Sequence, residues 1–215
     1  MADESNDRLT VVLLTASVEG GLVALAWLLG WWLEQPPLRT FSWDARAALV
    51  GVAATLPLLL LFLVLMRWPV GPLAGIKRFS EEVVRPTLAP CTLIDLIGIS
   101  TLAGLGEEMV FRGVLQPALA RSIGPWSALA AISVLFGAMH YVSATYAILA
   151  ALMGAYLGAL WMHSDNLLTP IVVHGLYDLV VLLYLLRGPG ATIAVAQNKS
   201  EHAAKEGTET DHSVS

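Results

Sequence analysis

Six long apolar stretches constrain this sequence more than any other feature. A helix needs roughly 20 apolar residues to cross the hydrocarbon core of a bilayer, and each stretch reaches or approaches that length. They are Leu9–Leu33, Ala47–Met66, Cys91–Leu119, Trp126–Tyr141, Tyr146–Met162 and Pro170–Leu186. The pattern predicts an all-α fold: a polytopic transmembrane helical bundle of about six spans, with a catalytic cavity inside the bundle.

The composition excludes several other classes of protein. Of the 215 residues, 56% are hydrophobic and only 13% are charged, whereas a soluble domain has about 25% charged residues. A disordered chain needs the opposite composition. The net charge of −5 gives no electrostatic footprint for nucleic acid. Because Cys91 is the single cysteine, an intrachain disulfide and a cysteine-based zinc site are excluded.

The order of apolar and polar segments predicts three regions. Residues 1–8 form a short polar N-terminus, residues 9–188 form the transmembrane domain with its motifs in 91–186, and residues 189–215 form a polar tail that we expect to be disordered.

The first span is expected to remain in the protein, because its leader is acidic and its apolar run is too long for a signal peptide. The distribution of Lys and Arg places both termini in the cytoplasm. The segment Leu73–Arg85 is either an interfacial helix or a solvated loop.

Ionisable side chains stand inside three of the predicted spans. A charge at bilayer depth costs roughly 2.5–3.5 kcal/mol on insertion scales, so each one calls for a partner or a function. They are Glu107, Glu108 and Arg112 in the third span, His140 at the end of the fourth, and His174 and Asp178 in the sixth. Three helices therefore offer carboxylates and imidazoles to one interior.

Helical geometry assigns different roles to the two glutamates. Residues four apart share a helix face, so Glu108 and Arg112 can form a pair. Glu107 lies roughly 100° round the helix from Glu108, which leaves it free to act as a general base. Phe136 shares a face with His140, and we expect it to line the same pocket.

Residue counting tests whether these side chains meet. Glu107 and His140 each lie fourteen residues from the ends of the connection 121–126. At about 1.5 Å per residue, both lie roughly 21 Å from that connection and therefore at one level. By the same count His174 lies about 10 Å away from that level, unless the 163–169 loop dips inward or its span is displaced.

Four further polar side chains lie in or beside the spans without a motif around them. Glu19 and Asp95 are isolated carboxylates, which we interpret as structural or cavity-lining groups. Tyr141 and Tyr177 adjoin candidate site residues, and we interpret both as packing or interface aromatics.

Three motifs in this order resemble those of the CAAX protease and bacteriocin-processing family, whose eukaryotic relatives are the type II CAAX prenyl endopeptidases. The family pattern is Glu-Glu-x-x-x-Arg, then Phe-x-x-x-His, then His-x-x-x-Asn or Asp. The matching segments are Glu107-Glu108-Met-Val-Phe-Arg112, Phe136-Gly-Ala-Met-His140 and His174-Gly-Leu-Tyr-Asp178. The resemblance runs from about Leu93 to Leu186, which is less than half of the chain.

The resemblance implies an intramembrane endopeptidase. It implies Glu107 as the general base for a water, helped by His140, while His174 and Asp178 polarise the scissile carbonyl and hold its oxyanion. The supporting residues would be Glu108, Arg112 and Phe136. The eukaryotic enzymes carry Asn, which can donate to an oxyanion, at the last position. An ionised Asp178 would instead orient His174 and favour its protonated form.

Members of this family have been described both as metalloproteases and as glutamate proteases. A catalytic zinc needs three protein ligands and an open position, and Glu107, His140 and His174 would suffice in number. The sequence has no His-Glu-x-x-His motif, in which one helix turn supplies two ligands. We therefore favour catalysis by glutamate with no cofactor, and keep zinc as the alternative.

Two other functions also suit charged residues inside a bundle. Chains of intramembrane Glu, His and Asp form proton relays, so a proton-coupled transporter is one alternative. A non-enzymatic immunity or scaffold protein is the other. The expected partners are the lipid bilayer and a membrane-associated protein or peptide substrate, with no nucleic acid. The expected location is the bacterial inner membrane.

Overall fold

A computed structural model of the protein describes residues 2–188, and side chains from residue 7 onward. The predicted disorder of the tail therefore lies outside the described residues. Residues 2–188 form seven helices and contain no strand. The helices are α1 (Ala2–Trp32), α2 (Ala45–Arg67), α3 (Leu73–Leu88), α4 (Leu93–Ile123), α5 (Pro125–Met139), α6 (Ala144–Ser164) and α7 (Leu168–Arg187).

The prediction of an all-α transmembrane bundle is confirmed, and about six spans agrees approximately with the four or five candidate spans of residues 2–188. Helices α1, α2, α6 and α7 are long and apolar enough to cross a bilayer. Helices α3 and α4, bent by 118° relative to each other, pass the same test when taken together as one broken span. Helix α5 has only 15 residues. The segment that the sequence left as helix or loop, Leu73–Arg85, is helical.

Polar side chains fix where the helices begin. Helix α4 begins with a reciprocal capping box, in which the Asp95 amide donates to the Thr92 hydroxyl and the Thr92 amide donates to the Asp95 carboxylate. The Asp44 carboxylate caps α2, and the Ser143 hydroxyl caps α6. Each cap satisfies an amide that would otherwise lack a partner in the first helical turn.

Ion pairs and hydrogen bonds at both ends show that α1 and α4 run in the same direction. At one end Arg8 donates twice to Asp95, over 2.6 and 2.9 Å. At the other end Arg121 donates to the carbonyl of Leu33 and the side chain of Gln35. This anchoring bears out the structural reading of Asp95.

Glycines let α4 approach one helix on each side. A methyl group built on Gly104 would lie 2.8 Å from the backbone nitrogen of Gly175 in α7. One built on Gly106 would lie 2.7 Å from the carbonyl oxygen of Glu19 in α1. Two residues turn a helix by roughly 200°, so α1 and α7 lie on opposite sides of α4.

The connection before α7 lies inside the protein. Leu167 and Thr169 are fully buried, and the Asn166 amide donates to the backbone and hydroxyl oxygens of Ser42. The contact of His174 with Glu108, 2.9 Å between Nδ1 and Oε1, places His174 at the level of the α4 glutamates. The simple residue count, which put His174 about 10 Å away from that level, is therefore wrong.

The middle of α4 is a π-helix over Met109–Leu115. Pro117 has no amide hydrogen, so it cannot donate to the carbonyl of Gly113, four residues earlier. The side-chain amide of Gln35 reaches that carbonyl instead, at 3.4 Å. Wide turns of this kind are frequent at functional sites, and this one contains Arg112.

The close contact of α4 with α7 gives a prediction about stability. Gly104→Ala should destabilise the protein by about 1–3 kcal/mol, because the methyl group meets backbone atoms that move only with the helix. The matched control is Gly98→Ala in the same helix, where a methyl group meets nothing within 4 Å. The control should be neutral or slightly stabilising. Thermal unfolding in detergent measures both, and equal stability of the two variants would contradict this packing.

Candidate active site

The centre of the site is the carboxylate of Glu108. Its Oε1 accepts from Arg112 Nη1 at 2.7 Å and lies 2.9 Å from His174 Nδ1. Glu108 and Arg112 are fully buried, and His174 is 3% exposed. The predicted Glu108–Arg112 pair is confirmed. The bond to His174 was missed, because it joins residues 66 positions apart in different helices.

Arg112 is held by groups from three helices. Besides Glu108, its Nη2 donates to the carbonyl of Gly154 in α6 at 2.8 Å. Its guanidinium carbon lies 4.8 Å from the centroid of the Phe136 ring in α5. A buried arginine is tolerated only with such compensation, because desolvation of an unpaired charge costs several kcal/mol.

Glu107 and His140 come together as the depth argument predicts. Glu107 Oε2 lies 3.6 Å from His140 Nε2, and their side chains are 13% and 28% exposed. This separation is an ion-pair distance rather than a direct hydrogen bond. His140 Nδ1 lies 2.8 Å from the carbonyl oxygen of Phe136. A carbonyl only accepts, so Nδ1 carries a hydrogen and Nε2 is the nitrogen that faces Glu107.

His174 lies between two carboxylates. Its Nδ1 faces Glu108, and its Nε2 lies 3.5 Å from Asp178 Oδ2. The Asp178 side chain is 29% exposed. The Glu108 carboxylate already accepts from Arg112, so Nδ1 of His174 is the donor in the first contact. The Nε2 edge has the longer contact and is the one nearer the exposed part of the site.

The aromatic ring of Phe136 joins these groups and lines the site as expected. It stacks on His140 with the ring centroids 4.4 Å apart, and it meets His174 edge-on at 6.1 Å. On its other side it contacts Phe111 and the backbone of α6 at Gly154. Phe136 is 1% exposed, so it holds both imidazoles in fixed orientations.

Glu19 of α1 lies beside the site. Its only signal in the sequence is that it is a charged residue inside a predicted span. Its backbone carbonyl lies against Gly106 of α4, the residue before Glu107. Its Oε2 is buried and has no hydrogen-bond partner within the described residues.

The three residues named for the alternative zinc site do not form a metal-binding geometry in the described part of the chain. Among the described residues, no group of three or more His, Cys, Asp or Glu side chains could hold a metal ion. His174 is turned toward Glu108 and Asp178, whereas His140 faces Glu107. The set Glu107, His140 and His174 in this arrangement does not fit a zinc ion.

The fold and the site define a multi-pass membrane protein with glutamates and histidines gathered between α4, α5 and α7. Residues 89–180 match the sequence model of the family described as Type II CAAX prenyl endopeptidase Rce1-like. The resemblance read from the three motifs is thereby confirmed. The match indicates a protease, and it spans every motif residue from Glu107 to Asp178.

The chain is also similar in sequence to a bacterial protein. The "Uncharacterized protein YpbD" of Bacillus subtilis (strain 168) is 27% identical over 140 residues, which cover 64% of this chain and 68% of that protein. No solved structure matches the chain.

The buried ion pair gives a testable prediction. Glu108→Ala and Arg112→Ala should each lower the folded yield in detergent, because removing one partner of a buried pair costs about 3–5 kcal/mol. The double replacement Glu108→Leu with Arg112→Met removes both charges and should recover part of the yield. Gel filtration measures the folded yield of each variant, and thermal unfolding measures its stability. Single variants that fold normally would show that the pair has no structural role.

Proposed function

We propose that this protein is an intramembrane endopeptidase that hydrolyses a peptide bond with a water activated by Glu107 and His140. The observation that carries the proposal is the approach of Glu107 Oε2 to His140 Nε2, beside a second glutamate whose Oε1 is bound by both Arg112 and His174. Of the two neighbouring carboxylates, Glu107 is partly exposed and Glu108 is fully buried, so Glu107 is the one that a water can reach.

The orientation of His140 supports the activation of water. Because its Nδ1 donates to the carbonyl of Phe136, the neutral ring presents a lone pair at Nε2. That lone pair and the Glu107 carboxylate are both acceptors, so a molecule placed at both must donate two hydrogens. Water does so. Glu107 would take the proton as the oxygen attacks the scissile carbon.

The opposite edge of the site would stabilise the negative charge that forms on the carbonyl oxygen. His174 lies between Glu108 and Asp178, and an imidazole that carries both hydrogens would donate to both carboxylates. In the transition state, its Nε2–H would donate to the oxyanion instead of making the long contact with Asp178. Donors fixed in advance in this way contribute about 10²–10³ in kcat.

The substrate that best fits this setting is a membrane-associated protein or peptide. The site lies among membrane-spanning helices, and the matching family is named for prenyl endopeptidases. We place the protein in the bacterial inner membrane, with both termini in the cytoplasm, because Lys and Arg favour that side. Bacteriocin or leader processing is one role within this class.

The grouping of the titratable side chains favours this proposal over a proton-coupled transporter. A transporter needs a relay that continues across the bilayer. The contacts among the described helices instead bring Glu107, Glu108, the two histidines and Asp178 into one cluster around the ring of Phe136. A cluster of that kind suits chemistry at a single point.

Glu107→Gln tests the base directly. The amide preserves the size of the side chain but does not accept a proton, so proteolysis should fall by about 10²–10⁴-fold. The measurement compares membrane proteomes of cells that express the wild type or the variant and looks for a missing cleavage product. Folded yield should remain close to the wild type.

The matched control is Glu82→Gln, which alters an exposed carboxylate on α3. It should leave the cleavage products unchanged. Undiminished cleavage by a folded Glu107→Gln protein would remove Glu107 from the mechanism.

The choice between glutamate and zinc chemistry can be measured by metal content. Glutamate catalysis predicts substoichiometric zinc in the purified protein and activity that survives strong chelators. It also predicts that His140→Ala and His174→Ala lose activity without a change in metal content. About one equivalent of zinc in the wild type, lost from both histidine variants, would overturn the metal-free proposal.

A further inference from the structure

The site is most open at the edge formed by His140 and Asp178. Their side chains are 28% and 29% exposed, whereas that of Glu107 is 13% exposed and those of Glu108 and His174 are buried. These two residues belong to different helices, because His140 follows the last turn of α5 and Asp178 lies in α7. A molecule that enters the site therefore passes between the end of α5 and the side of α7.

Two tyrosines flank that edge. Gly137, three residues before His140, packs so closely on α6 that a methyl group built there would meet the carbonyl oxygen of the residue after Tyr146. Tyr146 therefore lies at the end of α5 that carries His140. Tyr177 directly precedes Asp178 in α7. Both tyrosines pack against one cluster of buried apolar residues, which consists of Phe62, Met66, Ile76 and Leu185.

Helix α3 lies across the same edge. Its first part, Leu73–Phe79, contacts α6, and its last turn, Arg85–Leu88, contacts α1 and α7. The ring of Phe79 meets the ring of Tyr146 edge-on, with the centroids 6.1 Å apart. Ile76 is buried in the cluster against which both tyrosines pack. Helix α3 therefore covers the two tyrosines on the side of the bundle where α2 ends and α4 begins.

The backbone on both sides of Leu73–Phe79 is suited to a hinge, which needs a few residues that absorb a change of dihedral angles. Before α3, Gly71 has a φ of +55°, and a methyl group built there would meet nothing within 4 Å. A glycine in such a position changes conformation at little cost. After Phe79 the helix continues as a π-helix over Ser80–Val84. The ion pair of Lys77 with Glu81 stays within α3, so it does not tie this helix to the bundle.

We propose that Phe79 and Tyr146 form a gate over the site, and that the first part of α3 swings outward to admit a substrate chain between the two rings. The closed gate covers Tyr177 beside Asp178, and the open gate exposes the edge through which a substrate reaches Glu107. Because the rings must separate for every chain that enters, they determine which substrates are cleaved. This inference rests on the proposed function, since only an enzyme whose substrate must reach Glu107 needs such a gate.

Cysteine labelling tests the cover without any substrate. The probe is Tyr177→Cys in a Cys91→Ala background, so that the full-length protein in detergent has one thiol, and a charged maleimide measures how fast this thiol is labelled. Phe79→Ala should make labelling several-fold faster, because the cover loses its ring contact with Tyr146. The matched control is Arg78→Ala at the exposed neighbouring position, which should leave the rate unchanged. Equal rates in the Phe79→Ala and Arg78→Ala proteins would overturn the proposal.

A reversible cross-link tests the function of the gate. The variant combines Phe79→Cys with Tyr146→Cys in the Cys91→Ala background, and a short bifunctional methanethiosulfonate joins the two thiols. Cleavage should be lost when the link forms and should return when a reductant removes it, because a joined pair cannot separate. The matched control combines Lys77→Cys with Glu81→Cys. There the same reagent joins two residues within α3, which leaves the helix free to move, and cleavage should persist.

The outcomes separate this inference from the proposed function. Unchanged cleavage after mass spectrometry has shown a complete link between positions 79 and 146 would overturn the gate and leave the endopeptidase in place. An equal loss of cleavage in the control pair at positions 77 and 81 would also contradict the gate, because that link does not hold α3 against α6. If the wild type cleaves nothing, the proposed function fails, while the labelling rates of Tyr177→Cys still decide whether α3 is a movable cover.

Discussion

The buried carboxylate of Glu108 is the interaction on which the rest of this site depends. A charge in a low-dielectric interior must be compensated where it stands, and Glu108 is compensated by Arg112 from its own helix and His174 from α7. The cluster of Glu108, Arg112 and His174 therefore connects α4 to α7. Through the Arg112 contacts with Phe136 and Gly154 it also reaches α5 and α6. One ionic cluster orients four helices, and Glu107, one residue earlier, takes its position from them.

Sequence reasoning predicts the local parts of this arrangement well. The Glu108–Arg112 pair follows from a four-residue spacing, and the meeting of Glu107 with His140 follows from counting along two helices that share a short connection. Both arguments use only the regular geometry of a helix. The six apolar stretches likewise predict the bundle. The position of His174 could not be obtained in this way, because the loop before α7 is buried and held by Ser42, a residue more than 120 positions away.

Glu19 illustrates a different limit of sequence reasoning. Its neighbours in sequence carry no motif, and its charge alone is compatible with a structural role. What brings it to the site is the packing of two parallel helices at Gly106, a residue that is informative only because it lacks a side chain. Contacts between distant helices through glycine have no local pattern in the sequence. They become visible only when the helices are placed in space.

The middle of α4 serves both structure and chemistry. Glu107 and Glu108 are adjacent, yet one faces His140 and the other faces His174 and Arg112. Four residues after Glu108, the π-helical segment places Arg112 inside the protein, where it is fully buried. Pro117 makes this segment favourable because its missing amide hydrogen already breaks the regular pattern. A helix with two neighbouring acidic residues thus directs one inward as a fixed counter-ion, and leaves the other partly exposed where a water can reach it.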